Sequence, residues 1–128
     1  MGKTKILLAD SSTFTRIILA SALETLGFEI AAVARDGREV LDKFSLYSPD
    51  ITLIDLKLDG MDGIDVVRAL TRQNPSAAIA LLIPENMDDP DVIVEAVRAG
   101  ATSYIKKPTS GEEVKMRLAN LVRRREDQ

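Results

Sequence analysis

Short apolar runs alternate with amphipathic stretches along this chain. Lys5–Ala9 is nearly all apolar, the pattern of a strand buried on both faces. Phe14, Ile18, Ala22 and Leu26 recur every four residues, which predicts one face of a helix that Gly27 ends. Glu29–Ala34 reads as a second strand. Asp36 caps a helix carrying Val40, Leu41 and Phe44, and Ser48-Pro49 stops it. Ile51–Ile54 is a third strand. The loop Leu56–Asp62 leads into a helix with Ile64, Val67 and Leu70, closed near Asn74-Pro75. Ala78–Ile83 is a fourth strand. Asp89-Pro90 supplies the cap and first turn of a helix with Val92, Ile93, Ala96 and Val97, ending at Gly100. Thr102–Ile105 is a fifth strand. Ser110-x-x-Glu113 is a capping box that opens a last helix with Val114, Leu118, Leu121 and Val122.

Five strand–helix units with short connections predict an α/β fold, a (βα)5 doubly wound parallel sheet covered by helices on both faces. Residues 1–128 read as a single domain with no repeat, linker or low-complexity tract. Asp55 closes the run Ile51-Thr52-Leu53-Ile54, and Asp10 closes Ile6-Leu7-Leu8-Ala9. Lys107 follows Ala101-Thr102-Ser103-Tyr104-Ile105, and Pro108 follows Lys107. If the runs are parallel strands of one sheet, two carboxylates and an ammonium converge at its carboxyl edge, where open α/β sheets bind ligands. The trio suits an aspartate that accepts a phosphoryl group beside a divalent metal and a fixed cation. Each residue alone has a plainer reading, as a helix cap, a turn or a surface lysine. Three together, each after its own strand, point to a site. A Lys-Pro bond in this place suits a cis peptide that fixes the preceding side chain.

Composition narrows the chemistry. Apolar residues make up 45% and charged residues 29% of the 128, as in a soluble globular domain. With no cysteine and no histidine, Ser-His-Asp and Cys-His catalysis are excluded, as are disulfides and cysteine-based zinc sites. A carboxylate, hydroxyl or lysine must carry any reaction. The net charge of −3 argues against direct nucleic-acid binding. No apolar stretch reaches the roughly 18 residues of a membrane span, and Met1-Gly2-Lys3-Thr4-Lys5 is not a signal peptide. A cytoplasmic location is the expectation.

The chain resembles a response-regulator receiver domain (CheY-like) over essentially its full length. The resemblance rests on Ile6-Leu7-Leu8-Ala9-Asp10-Ser11-Ser12 with Arg16, on Asp50-x-x-Leu53-Ile54-Asp55, and on Met61-Asp62-Gly63. Ala99-Gly100-Ala101 and Tyr104-Ile105-Lys106-Lys107-Pro108 complete it. It implies a flavodoxin-like fold with strand order 2-1-3-4-5. It also implies that a sensor histidine kinase phosphorylates Asp55 and that Lys107 pairs with the phosphoryl group. Mg²⁺ would be held by Asp10, Asp55 and the backbone carbonyl of Lys57. In such domains a Ser/Thr after the fourth strand moves toward the phosphate, and an aromatic, here Tyr104, follows it and reshapes the last helices. A downstream effector protein or output domain would read that change, and a homodimer through the last two helices is a further partnership the resemblance allows. No enzymatic activity beyond slow self-dephosphorylation is expected.

Two positions depart from that pattern. Ser11 stands where a second acid is expected, so it is a weak metal ligand or none, and Mg²⁺ binding should be weakened. Ile83-Pro84-Glu85-Asn86 holds no hydroxyl, whichever residue occupies the switch position. Glu85 either points a carboxylate toward the site or is a solvated loop acid. Lys57 either extends over the site or into water. A pseudo-receiver, binding partners independently of phosphorylation, is therefore the competing reading. Arg123-Arg124-Arg125 complements the dipole of the last helix. Asp59, Gly60, Asp62 and Gly63 lack EF-hand spacing and read as a turn.

Overall fold

The computed structural model describes residues 2–87, 89–107 and 111–126, the last four of these in backbone only. Pro108 and Ser110 lie outside the described residues, so the Lys-Pro bond and the capping box do too. Five strands, β1 (Lys5–Ala9), β2 (Glu29–Ala34), β3 (Ile51–Asp55), β4 (Ile79–Ile83) and β5 (Ser103–Lys106), alternate with five helices. These are α1 (Thr13–Thr25), α2 (Gly37–Tyr47), α3 (Gly63–Gln73), α4 (Pro90–Ala99) and α5 (Gly111–Glu126). The strands form one parallel sheet in the order β2-β1-β3-β4-β5.

The central strands β1, β3 and β4 are buried from face to face, which is why they read as unbroken apolar runs. Their side chains alternate between two cores. Leu7, Ala9, Ile54, Ile79 and Leu81 pack with Val40 of α2, Val67 of α3 and Ala96 of α4. Ile6, Leu8, Ile51, Leu53 and Leu82 pack with Leu23 of α1 and Leu118 of α5. Carboxylate caps start α2, α3 and α4: Asp36 accepts from the Glu39 amide, Asp62 from Ile64 and Asp89 from Asp91. Gly100 follows α4 at φ +121, a conformation that an L side chain resists.

The first helix corrects a sequence expectation. Phe14, Ile18 and Ala22 do not form its buried face. Phe14 is 73% and Ile18 50% exposed, whereas Leu19, Ala20, Leu23 and Leu26 face the core. Phe14, Ile17, Ile18, Leu19 and Ala20 place apolar residues all round the first turns, so a spacing of four fits more than one face and does not by itself select the buried one.

β3 carries one buried polar mismatch. Thr52 is fully buried between Leu7 of β1 and Ile79 of β4, and its Oγ1 has no hydrogen-bond partner among the described residues. An unpaired buried hydroxyl costs about 1–3 kcal/mol, and valine has nearly the same shape. Thr52→Val should therefore stabilise the fold by about 1 kcal/mol, read as a higher urea midpoint with unchanged slope. A lower midpoint would show that the hydroxyl is satisfied.

Candidate functional site

The carboxyl ends of β1, β3 and β5 build the site. Asp10 follows β1 directly, and its amide donates to the Ala34 carbonyl at 3.0 Å. Asp55 is the last residue of β3. Lys107 follows β5, pinned by its amide to the Ile83 carbonyl at 2.8 Å. Its Nζ donates to Asp10 Oδ2 at 2.7 Å and to Asp55 Oδ2 at 2.6 Å. One ammonium thus joins two carboxylates that are 1% and 6% exposed.

The other carboxylate oxygens face backbone amides. Asp10 Oδ1 accepts from Ser12 N–H at 2.9 Å, and Asp55 Oδ1 from Lys57 N–H at 3.0 Å. Ser12 in turn caps α1 by accepting from the Thr15 amide. Arg16, one turn into that helix, donates to the Asp10 carbonyl and to Thr13 Oγ1. The N-terminus of α3 closes the other side. Gly63 N–H donates to the Leu56 carbonyl at 2.9 Å, and a Cβ on Gly63 would lie 2.3 Å from the Asp55 carbonyl oxygen. Only a glycine lets α3 approach β3 this closely.

The electrostatics follow from burial. Desolvation raises the Asp55 pKa above its ordinary 3.8, outweighing the hydrogen bonds and charge of Lys107 and the Lys57 amide. Burial pulls the Lys107 pKa down, but the bonds to Asp10 and Asp55 prevail and leave it raised above 10.5. The stability that Lys107 adds is therefore full below 10.5 and lost as pH rises through the higher folded value.

The remaining predicted residues fall around this trio. Ser11 is partly buried beside Asp10. The Lys57 side chain is exposed while its amide faces Asp55. Glu85 is exposed in the turn after β4. Ile83 is the last residue of β4, pairs with Lys106 and is buried. Ile83, with Met87, Pro90 and Ile93, lines a cavity of about 180 Å³ that reaches Tyr104. Tyr104 itself is 37% exposed, with the Arg117 guanidinium 4.9 Å from its ring centre. That stack went unseen in the sequence. The spacing from Glu113 to Arg117 marks a helical ion pair, observed at 3.7 Å, but no local pattern reports a contact with β5.

The donors fit a divalent cation only in part. Two converging carboxylates are oxygen ligands of the kind Mg²⁺ takes alongside water. No group of three acidic side chains that could hold a metal occurs among the described residues, because Ser11 contributes no carboxylate.

Residues 6–119 match the family model for the response regulator receiver domain. The chemotaxis protein CheY of Thermotoga maritima is 33% identical over 108 residues, covering 84% of this chain and 88% of that protein. A protein-glutamate methylesterase/protein-glutamine glutaminase of Myxococcus xanthus is 35% identical over 107 residues, 83% of this chain but 30% of that protein. Among solved structures, a response regulator receiver domain protein of Clostridium thermocellum superposes with TM-score 0.87 at 26% identity, covering 96% of this chain and 97% of that one.

The raised Asp55 pKa has a measurable consequence. A carboxyl that holds its proton more tightly when folded lowers stability as pH rises from its unfolded value through its folded one. Asp55→Asn removes that penalty. The variant should be more stable than the wild type near pH 7, and the gap should close as pH falls through the raised value toward 3.8. Thermal melts across this range decide it. A gap of opposite sign would mean that the Lys107 pair outweighs desolvation.

Proposed function

The chain belongs to the response regulator receiver family of two-component signalling, and on that premise we propose that it accepts one phosphoryl group on Asp55 from a histidine kinase. The observation that carries this reading is the Lys107 ammonium held 2.6 Å from Asp55 and 2.7 Å from Asp10 at the sheet edge. The ionised Asp55 attacks phosphorus, a P–O bond forms, and the P–N bond to the donor imidazole breaks with its electron pair returning to nitrogen. Catalysis of this kind is positioning and charge neutralisation. Lys107 neutralises the transferred oxygens, and the Lys57 amide orients the carboxylate. Asp10, Asp55 and the Lys57 carbonyl would hold Mg²⁺, which supplies further neutralising charge when bound. With Ser11 in place of a second acid that affinity is low.

Two surfaces suit the protein partners. Phe14, Ile17 and Ile18 leave an exposed apolar stripe on α1 that begins four residues after Asp10, where a donor protein approaching Asp55 would rest. Tyr104 and the exposed side of α5 form the face an effector would read.

Labelling with acetyl phosphate tests the assignment. One phosphate should enter the wild type and none Asp55→Asn, as counted by intact mass. At limiting Mg²⁺, Ser11→Asp should label faster, because one added charge near a partly solvated divalent ion contributes on the order of 1–3 kcal/mol. Labelling of Asp55→Asn at the wild-type level would remove Asp55 from its role.

Output is a separate question. Ile83 has no hydroxyl to reach the phosphoryl group, so a contact made only in the phosphorylated state is missing. Beryllofluoride, a phosphoryl mimic, should therefore shift NMR signals near Asp10, Asp55 and Lys107 far more than those of α4 and α5. Saturating shifts along both helices would show that the switch works through other contacts.

A further inference from the structure

We infer that Gly37, a residue with no functional group and outside the trio, positions the loop between β3 and α3 and so sets the place of Lys57. That loop carries the amide that orients Asp55 and the carbonyl proposed to face the metal. Leu58, next to Lys57, anchors one end of the loop by packing against the core. Lys57 and Asp62 bridge each other, which closes the loop on itself, and Gly60 makes its turn at φ +76. Beyond that, Asp59 pairs with Asp36 in an isolated parallel bridge. Next to this bridge Met61 lies on Gly37. A Cβ on Gly37 would meet Met61 Sδ at 2.9 Å, Met61 Cβ at 3.0 Å and Val66 Cγ2 at 2.9 Å.

The two neighbours are not equally free to yield. Val66 is fully buried in α3 and belongs to the packed core, whereas Met61 is 38% exposed. A cleft of about 310 Å³ lined by Asp36, Gly37, Arg38, Asp59, Gly60 and Met61 lies between the start of α2 and the loop beside this contact. Displacing Met61, and with it the loop, would relieve two of the three contacts of a methyl group at position 37, while the Val66 contact would be met by a shift in the core. The bare Cα of Gly37 is the stop against which the loop is set.

The inference rests on the phosphoryl-acceptor reading only for its metal arm, so the primary measurement omits metal. In Gly37→Ala, hydrogen exchange of the Lys57 amide should quicken about fivefold more than that of β3 amides such as Leu53. The contact with Val66 in the core destabilises the variant as well, so Lys57 exchange is read against that of Leu53. In the Met61→Ala background the same substitution should quicken Lys57 exchange less than in the wild type, because the Sδ contact at 2.9 Å is gone and only the Cβ contact at 3.0 Å still presses on the loop. Mg²⁺ affinity, by calorimetry, should fall in Gly37→Ala and fall less in the double variant. Unchanged Lys57 exchange in Gly37→Ala, or equal acceleration in both backgrounds, overturns the inference. Should Gly37→Ala fail to fold, Met61→Ala alone decides: faster Lys57 exchange with protected Leu53 supports the stop, and unchanged exchange refutes it. A wild type that binds no Mg²⁺ yet shows the exchange pattern would sink the metal reading and leave the positioning role standing.

Discussion

One ammonium between two buried carboxylates is the constraint on which the carboxyl edge of this sheet depends. Burying Asp10 and Asp55 without a partner would be costly, and neutralising them with one cation still leaves a formal charge of −1. The sheet order makes the arrangement demanding. Lys107 follows β5, while Asp55 lies on β3 and Asp10 after β1, so β4 stands between the lysine and both acids. Strands sit about 4.8 Å apart, and a four-carbon stem must cross the end of β4 to reach two strands beyond it. β4 therefore has to end at Ile83, and the chain has to turn away at Pro84. The bond from the Lys107 amide to the Ile83 carbonyl fixes where that crossing starts.

The same constraint explains what could be read in the sequence. Strands buried on both faces have no polar face, so β1, β3 and β4 stand out as apolar runs, and the aspartates closing the β1 and β3 runs mark the sheet edge. Element order, the parallel sheet and the convergence of Asp10, Asp55 and Lys107 followed from that. The buried face of α1 did not. Thr13–Thr25 has apolar residues all round its first turns, and regular spacing by four selected Phe14 and Ile18, which the fold leaves exposed. Periodicity finds a face only when the opposite face is polar. The stack of Arg117 on Tyr104 was hidden for a different reason, since it joins a helix to a strand across the fold and leaves no trace in local spacing.

The loop after β3 shows a third kind of information, carried by absent atoms. Gly63 and Gly37 are spaces into which Asp55 and Met61 fit. A turn-like reading of Asp59, Gly60, Asp62 and Gly63 was correct as far as it went. It could not say that the loop is held from outside by α2, because that depends on the parallel bridge between Asp36 and Asp59, residues far apart in the chain.

Ile83 ties the geometry of the trio to the question of output. A hydrogen bond to a charged group contributes about 1.5–3 kcal/mol, and one made only in the phosphorylated state would shift a two-state equilibrium by roughly tenfold to a hundredfold. In the proposed function no residue of Ile83-Pro84-Glu85 supplies that contribution from a hydroxyl. On the other side of β5, Arg117 holds the Tyr104 ring at 4.9 Å, an attraction of about 0.5–1 kcal/mol at an exposed site. Any inward movement of Tyr104 toward the cavity beside Ile83 must first give up that contact. Both terms act in one direction: the ring's outward position is favoured, and the phosphoryl group has less with which to oppose it. In the function proposed above, the chemistry at Asp55 would rest on Lys107 and the two carboxylates it joins, and the readout at Tyr104 on Ile83 and Arg117, for which no contact with either carboxylate is seen among the described residues. On that reading, phosphoryl acceptance and signal output would be carried by different residues, and a competent acceptor site would not by itself imply a strongly coupled switch.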